Sequence, residues 1–363
     1  MEKTESYDGW ENGIMGRTWP RIIPKLIQRS ITRQPLNSST EIRLTRLCTQ
    51  RCRQCRVYER STEPPTMGWR DFQILAEKLR TYGAYIGFIS GGEATLVPHL
   101  DKILVEAKKT FLLSTTLVTG LYNRFETIKK LGRVALENDI HIQTSLDGLG
   151  GLGDDLRGVK DFAPTILNHM EWLAQNKNGS KSLLYANIVI NDRNLEQVPE
   201  LIRRAHDVGW KTTIGMYHTL TSTTREDDEL RLRPGKRLDA LLEYLHGNPD
   251  ILNLNAYIEG IGDFVSGTPA GFCAFVDAPV LATRTTIMED GDVHLCWGPP
   301  IGNVFQDSMD AIFRSAEYQH RIDAYRSCSG CWTTCYSQRY LLVHPRSVKE
   351  LAQNIKKVRA LRG

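Results

Sequence analysis

The sequence predicts an α/β fold with a parallel sheet and a small C-terminal extension, and three observations carry that prediction. From Glu41 to about Tyr217, short apolar runs that read as strands alternate with segments of helical periodicity, the pattern of stacked βαβ units. Three cysteines, Cys48, Cys52 and Cys55, follow directly on the first of those strands. Five more, Cys273, Cys296, Cys328, Cys331 and Cys335, gather near the C-terminus around a predicted hairpin.

Size and composition set the bounds. With 363 residues the chain can bury a large core, enough for about two domains. Its 41% hydrophobic and 24% charged residues are the composition of a soluble globular protein. No run of about eighteen apolar residues occurs, which argues against a membrane span. The opening Met1-Glu2-Lys3-Thr4-Glu5-Ser6 has no apolar core, so a secretory signal is not expected and a cytoplasmic location is. There, bunched cysteines read as metal ligands before disulfides. A net charge of +4 is too small to argue for nucleic acid.

The elements follow in order. Residues 1–40 read as a leader, in which the mixed basic and apolar stretch 20–31 is expected to pack on the protein's own core. Residues 41–47 read as the first strand. Residues 69–82 carry a helical stripe of Phe72, Ile74, Leu75 and Leu79. A buried strand over 85–90 runs into Gly91-Gly92-Glu93, where the glycines let backbone approach a ligand closely. Strands over 113–118 and 140–144 end at Thr119-Gly120 and at Ser145-Leu146-Asp147-Gly148, and Asp155-Leu156-Arg157-Gly158 reads as a loop. A helix over 162–174, a strand over 183–191 containing Asn187, a helix over 195–208 and a strand over 210–217 complete the alternation. Because active groups of parallel barrels gather at strand C-termini, Tyr217 and His218 become candidates to touch substrate. The polar run 222–229 reads as a solvated loop, 234–246 as a helix, and Glu259 as a residue able to approach the site.

The C-terminal cysteines surround a strong hairpin signal. Asp290-Gly291 separates the apolar runs 285–288 and 292–295, so that Cys296 emerges at the hairpin's end. A helix with Met309, Ile312 and Phe313 precedes Cys328-Ser329-Gly330-Cys331, and a basic helix over 348–361 reads as a solvated cap. Three thiolates fit three irons of a [4Fe–4S] cube and leave the fourth iron open. Zinc is the functional alternative at both cysteine groups, since C-x-x-C suits it equally well.

The spacing Cys48-x-x-x-Cys52-x-x-Cys55 after a first strand resembles that of the radical S-adenosylmethionine (SAM) superfamily. The resemblance covers about residues 41–340 and implies a partial (β/α)₆ barrel with a small C-terminal β-hairpin/helix cluster-binding domain. Carried onto this chain, it assigns Cys48, Cys52 and Cys55 to a SAM-binding [4Fe–4S] cluster and Gly91, Gly92 and Glu93 to the SAM ammonium group. It places Ser145 and Asp147 near the ribose, Arg157 against the SAM carboxylate and Asn187 near SAM. Gln54 and Thr119-Gly120 depart from the family, which commonly has an aromatic residue and Thr-Asn-Gly there. The later cysteines resemble the twitch or SPASM extension, with Cys273, Cys296, Cys328 and Cys331 preferred as ligands of one auxiliary [4Fe–4S] cluster and Cys335 as a substitute or spare. The implied domains are 1–40, 41–255, 256–345 and 346–363.

On this resemblance the expected function is reductive cleavage of SAM, hydrogen abstraction from a small-molecule biosynthetic intermediate, and its dehydrogenation with the auxiliary cluster as electron acceptor. Tyr217, His218 and Glu259 are the candidate catalytic side chains, and an external donor such as flavodoxin or ferredoxin is the expected partner. The alternatives are peptide modification in natural-product maturation, oxidation of a tetrapyrrole or other large apolar substrate, and a non-catalytic iron–sulfur or zinc module. The leader is too short for the peptide-binding domain of many peptide-modifying relatives, which weighs toward the small molecule.

Overall fold

The strand that leads into the three-cysteine loop, β1 (Ser39–Arg43), lies inside the sheet with a parallel neighbour on each side. The computed structural model describes residues 35–57, 66–220, 224–278 and 283–343, together with 24, 27–29, 31, 32 and 350. The remaining strands are β2 (Ile86–Ser90), β3 (Ser114–Val118), β4 (His141–Ser145), β5 (Leu184–Ile190), β6 (Lys211–Met216), β7 (Arg284–Ile287), β8 (Asp292–His294) and β9 (Gly302–Asn303). Among the described residues they form one nine-stranded sheet in the order β6-β5-β4-β3-β2-β1-β7-β8-β9. Strands β1 to β6 are parallel, as the βαβ alternation predicts, and the hairpin β7–β8 is antiparallel. The sequence does not announce that β7 also pairs in parallel with β1. The C-terminal hairpin therefore continues the barrel sheet, and its inward side chains face the same interior as those of β1.

Helices cover the outside. They are α1 (Trp69–Tyr82), α2 (Leu100–Thr110), α3 (Phe125–Glu137), α4 (Gly150–Arg157), α5 (Phe162–Gln175), α6 (Val198–Asp207), α7 (Lys236–Leu245) and α8 (Asn255–Val265). The C-terminal region adds α9 (Ala274–Asp277), α10 (Met309–Ile312), α11 (Ala316–Arg326) and α12 (Ser337–Val343). Apolar stripes at helical spacing bury against the sheet: Phe72, Leu75 and Leu79 of α1 are fully buried, and Ile74 of the expected stripe is instead exposed. Trp210 and Phe162 are fully buried as well. Such apolar burial supplies most of the favourable folding energy, at about 25 cal/mol per Å².

Three expectations change. Asp155-Leu156-Arg157 is the last turn of α4 and not a loop, and Gly158 caps it in the left-handed conformation at φ 59°. In the leader, the side chain that docks is basic: Arg29 lies over the Tyr82 ring at 4.0 Å and pairs with Asp310 at 2.8 Å, whereas Ile27 and Ile31 are exposed. The polar run is solvated only in part: Glu226, Asp228 and Glu229 are exposed, while Asp227 is half-buried and pairs with Arg53 at 2.7 Å. Most of residues 1–34, and 351–363 of the tail, lie outside the described residues.

Candidate active site

The loop that carries Cys48, Cys52 and Cys55 is clamped on three sides. Below it, Gly92 and Glu93 donate backbone N–H bonds to the carbonyls of Thr45 and Leu47 at 2.6 and 2.7 Å. A Cβ on Gly92 would overlap the carbonyl oxygens of Arg46 and Leu47, so glycine is required for chain to meet chain. On the second side, Arg51 and Arg53 donate backbone bonds to Arg157 and Leu156 at 3.0 Å each. On the third, Arg225 N–H reaches the Gln54 carbonyl at 2.8 Å and Cys55 bridges Thr224.

The thiols line a cavity of about 240 Å³ together with Gly91, Gly92, Ser145 and Arg157. Around it, Gln50 Nε2, Gln54 Oε1 and Arg157 Nε are buried without a partner, which fits a site completed by a polar bound group. Burial pushes the Cys48 thiol up to about 12, so its thiolate needs a cation for support. A cluster built on three such thiolates answers that need. Arg157 is itself buried, bonded to Asp147 and reaching the Cys52 sulfur at 3.6 Å. Its two Nη groups bind Cys52 and Asp147, and its Nε has no partner within the protein. Asp147 also accepts from Gln54 Nε2 at 3.3 Å and from Val189 N–H at 2.8 Å, so it acts as a fixed internal hub.

Glu93 is likewise bonded within the protein. Its carboxylate is buried and accepts from Thr95 N–H and Oγ1, Thr119 Oγ1 and Gly120 N–H, at 2.6 to 3.0 Å. It ties the end of β2 to the end of β3, with three bonds on Oε1 and one on Oε2. Asn187 sits opposite Ser145 in the β4–β5 register and accepts from Thr213 Oγ1 at 3.1 Å.

The second cysteine group divides. Cys273, Cys296, Cys328 and Cys331 line one small apolar cavity of about 70 Å³, walled by Phe275 and Tyr325. Cys335 instead lines a separate polar cavity of about 330 Å³. Among the described residues, no three thiol, imidazole or carboxylate groups converge on one point as ligands of a single ion do. The quartet is held by aromatic packing: Tyr325 donates to the Trp297 carbonyl at 2.9 Å and accepts from Cys296 N–H at 3.0 Å. Ser337 Oγ donates to the Cys331 carbonyl at 2.7 Å.

The larger cavity touches both groups of elements. Its wall includes Glu41 and Arg43 of β1, Arg284 of β7, His218, Cys296 and Cys335. His218 is the predicted catalytic candidate that reaches it. Burial lowers its pKa to about 4, and Leu220 N–H donates to Nδ1 at 3.3 Å, leaving a neutral ring protonated at Nε2. Tyr217 turns to the opposite face, as strand alternation requires. Its hydroxyl donates to the Arg225 carbonyl and accepts from Asp227 N–H, both at 2.7 Å, and so pins the polar run. Glu259 lines none of these cavities. It sits on the outer face of α8, bonded to the exposed His246 at 2.8 Å. Arg43 and Arg284 escape sequence reasoning because nothing in their spacing places them together; only the β1–β7 pairing does.

Comparison with known proteins adds the following. Residues 279–332 match the SPASM family, described as an iron–sulfur cluster-binding domain. Two Bacillus subtilis (strain 168) proteins are similar over long stretches. The sporulation killing factor maturation protein SkfB is 23% identical over 171 residues, 47% of this chain and 40% of the relative. The antilisterial bacteriocin subtilosin biosynthesis protein AlbA is 21% identical over 292 residues, 77% of this chain and 60% of the relative. The chain thus matches about half the length of these relatives. Streptococcus suis SuiB bound to the precursor peptide SuiA superposes with a TM-score of 0.61 at 16% identity, over 89% of this chain and 74% of that one. Native anSMEcpe with bound AdoMet and Cp18Cys peptide gives 0.57 at 15%, over 88% and 95%.

Proposed function

We propose that this chain, a radical SAM protein with a C-terminal SPASM/twitch-type region, modifies a peptide by abstracting hydrogen from one of its residues. Its cofactors are a SAM-binding [4Fe–4S] cluster, an auxiliary cluster and SAM. Bound there, they would supply one-electron reductive cleavage of SAM and an electron acceptor for the substrate. The observation that carries the proposal is the polar cavity whose wall shares Cys296 with the second cysteine site and includes Thr224, which bridges Cys55 of the first. A peptide residue seated there would adjoin both sites.

The chain's own residues have these roles. Cys48, Cys52 and Cys55 hold the first cluster, and Cys273, Cys296, Cys328 and Cys331 the auxiliary one. Gly91, Gly92, Gln54 and Ser145 shape the wall against which SAM binds. Arg157 and Asp147 hold Cys52 in place and lend positive charge beside it. His218 offers a neutral N–H donor to the peptide in the central cavity. An external one-electron donor such as flavodoxin or ferredoxin would supply the electron. Domain limits of 41–255 and 256–345 accommodate these roles, with the matched SPASM residues inside the second.

The relatives named for maturation and bacteriocin biosynthesis, and the structures with bound peptides, support a peptide substrate. The test is anaerobic reconstitution, iron and sulfide counting, and incubation with SAM, reductant and a short peptide encoded beside the gene. The expected result is about eight irons per chain, 5′-deoxyadenosine, and a peptide of altered mass. An unaltered peptide beside abundant 5′-deoxyadenosine would return the reading to a small molecule.

A further inference from the structure

The central cavity has an unbalanced charge on its floor. Glu41 and Arg43 alternate to the same face of β1, and Arg284 reaches them from β7. Glu41 accepts from Arg43 Nε at 3.0 Å and Ser90 Oγ at 2.9 Å on one oxygen, and from Arg284 Nη2 at 2.7 Å on the other. Burial alone would raise the Glu41 pKa, yet the two guanidiniums hold it far below the usual carboxylate range, so it stays charged. One carboxylate thus faces two guanidiniums, a local surplus of one positive charge on the floor. All three side chains are less than one-fifth exposed.

Elsewhere on the wall the carboxylates have partners of their own, so the positive surplus is local to the Glu41–Arg43–Arg284 floor. Arg46 pairs with Glu289 and with Asp290, and Asp292 accepts from Asn303 Nδ2 at 3.0 Å. Among the described residues, the Nη atoms of Arg43 and the Nη1 of Arg284 have no hydrogen-bonded partner. Burying an uncompensated charge costs several kcal/mol, and two guanidinium forks with spare donors suit a planar oxyanion. Arg43 and Arg284 share their wall with Cys296 and Cys335 and with Thr224, which bridges Cys55, so the floor adjoins both cysteine regions.

We infer that Arg43 and Arg284 form a carboxylate-binding subsite that anchors the peptide substrate by an acidic side chain or by its C-terminus. This rests on the peptide reading above and specifies which peptides are accepted. A carboxylate held there would complete the charge balance of the triad and fix the neighbouring peptide residue beside the cysteine sites. Glu41 then serves as a positioning residue that holds the two forks side by side.

Three probes test this on the anaerobically reconstituted protein with SAM: Ac-Ala-Glu-Ala-NH2, Ac-Ala-Gln-Ala-NH2 and Ac-Ala-Ala-Ala with a free C-terminal carboxylate. Binding is followed by titration calorimetry, and 5′-deoxyadenosine is assayed in the same samples. The subsite predicts at least about tenfold tighter binding of one carboxylate peptide than of the glutamine peptide, and loss of that preference in Arg284→Gln and Arg43→Gln. Preference for the glutamate probe assigns the side chain, and preference for the free terminus assigns the chain end. Equal binding of all three, no binding of either carboxylate probe, or an undiminished preference in folded variants overturns the inference. If a variant does not fold, the wild-type discrimination alone decides. Protein that makes 5′-deoxyadenosine without discriminating sinks the subsite and spares the radical reading; protein that discriminates but makes none does the reverse.

Discussion

The two cysteine regions solve one problem by opposite means. Cys48, Cys52 and Cys55 lie within eight residues on one loop, and the fold only has to hold that loop still. It does so with backbone hydrogen bonds from the ends of β2 and α4 and from the 224–225 strap. Cys273, Cys296, Cys328 and Cys331 come from separate elements, brought to one cavity by Phe275, Tyr325 and Tyr336. The first site is therefore written in local spacing and the second in tertiary packing. A change near the first should act on the cluster directly, whereas a change near the second should act through the packing that gathers the thiols.

The largest effect expected is a contrast between two cysteine variants. Cys52→Ala removes a buried thiol of the first loop, and it should abolish 5′-deoxyadenosine formation and lose about four irons. Cys328→Ala removes an exposed thiol of the second set and should also lose about four irons. The first loop stays clamped in that variant, so the electron paramagnetic resonance signal of its remaining cluster should still change when SAM is added. Equal loss of the SAM-responsive signal in both would erase the distinction. Cys335→Ala should keep the full iron count, because Cys335 lines the other cavity.

Next in size is the pair behind Cys52. Arg157→Gln leaves Asp147 buried beside two weaker donors, and breaking one partner of a buried ion pair costs about 3–5 kcal/mol. A thermal melt should drop accordingly, with iron lost first from the SAM-responsive site. Retention of both would mean that the loop does not depend on α4.

Legibility in the sequence follows the same division. The βαβ alternation and the three-cysteine loop are visible because each depends on neighbours in the chain. Glu93 was legible as a position, whereas two of its four hydrogen-bond donors, Thr119 Oγ1 and Gly120 N–H, come from the next strand's loop, which local spacing does not show. Asp227 of the polar run 222–229 looked solvated because its partner, Arg53, lies 174 residues before it. Likewise the Arg43–Glu41–Arg284 floor exists only through the parallel pairing of β7 with β1, which no periodicity encodes. Residues whose work is done by long-range partners are the ones sequence patterns assign wrongly or overlook.

A smaller effect sharpens the comparison at the cavity wall that adjoins both regions. His218 is neutral when folded, with a pKa of about 4, against about 6.5 when unfolded. Between those values the unfolded chain binds the extra proton, so acidification favours unfolding. This group alone should make the protein about 2 kcal/mol less stable at pH 5 than at pH 7. His218→Gln should remove that part of the slope in chemical denaturation curves, and an unchanged slope would mean that the ring is hydrated.

The smallest effect belongs to Glu259, and it bears on which side of α8 faces the chemistry. Its carboxylate and His246 are both more than half exposed, and a surface pair of that kind contributes about 0–1 kcal/mol. Glu259→Ala should therefore lower stability by less than about 1 kcal/mol and leave the SAM-responsive signal unchanged. The opposite face of α8 is a different matter, since Tyr257 is fully buried, stacks on Trp332 at 6.2 Å and accepts the indole N–H on its carbonyl at 2.8 Å. That face anchors the segment carrying Cys331, so Tyr257→Ala should release auxiliary iron while Glu259→Ala does not. If instead Glu259→Ala cost the iron and Tyr257→Ala spared it, the packing account of the second cysteine region would be wrong.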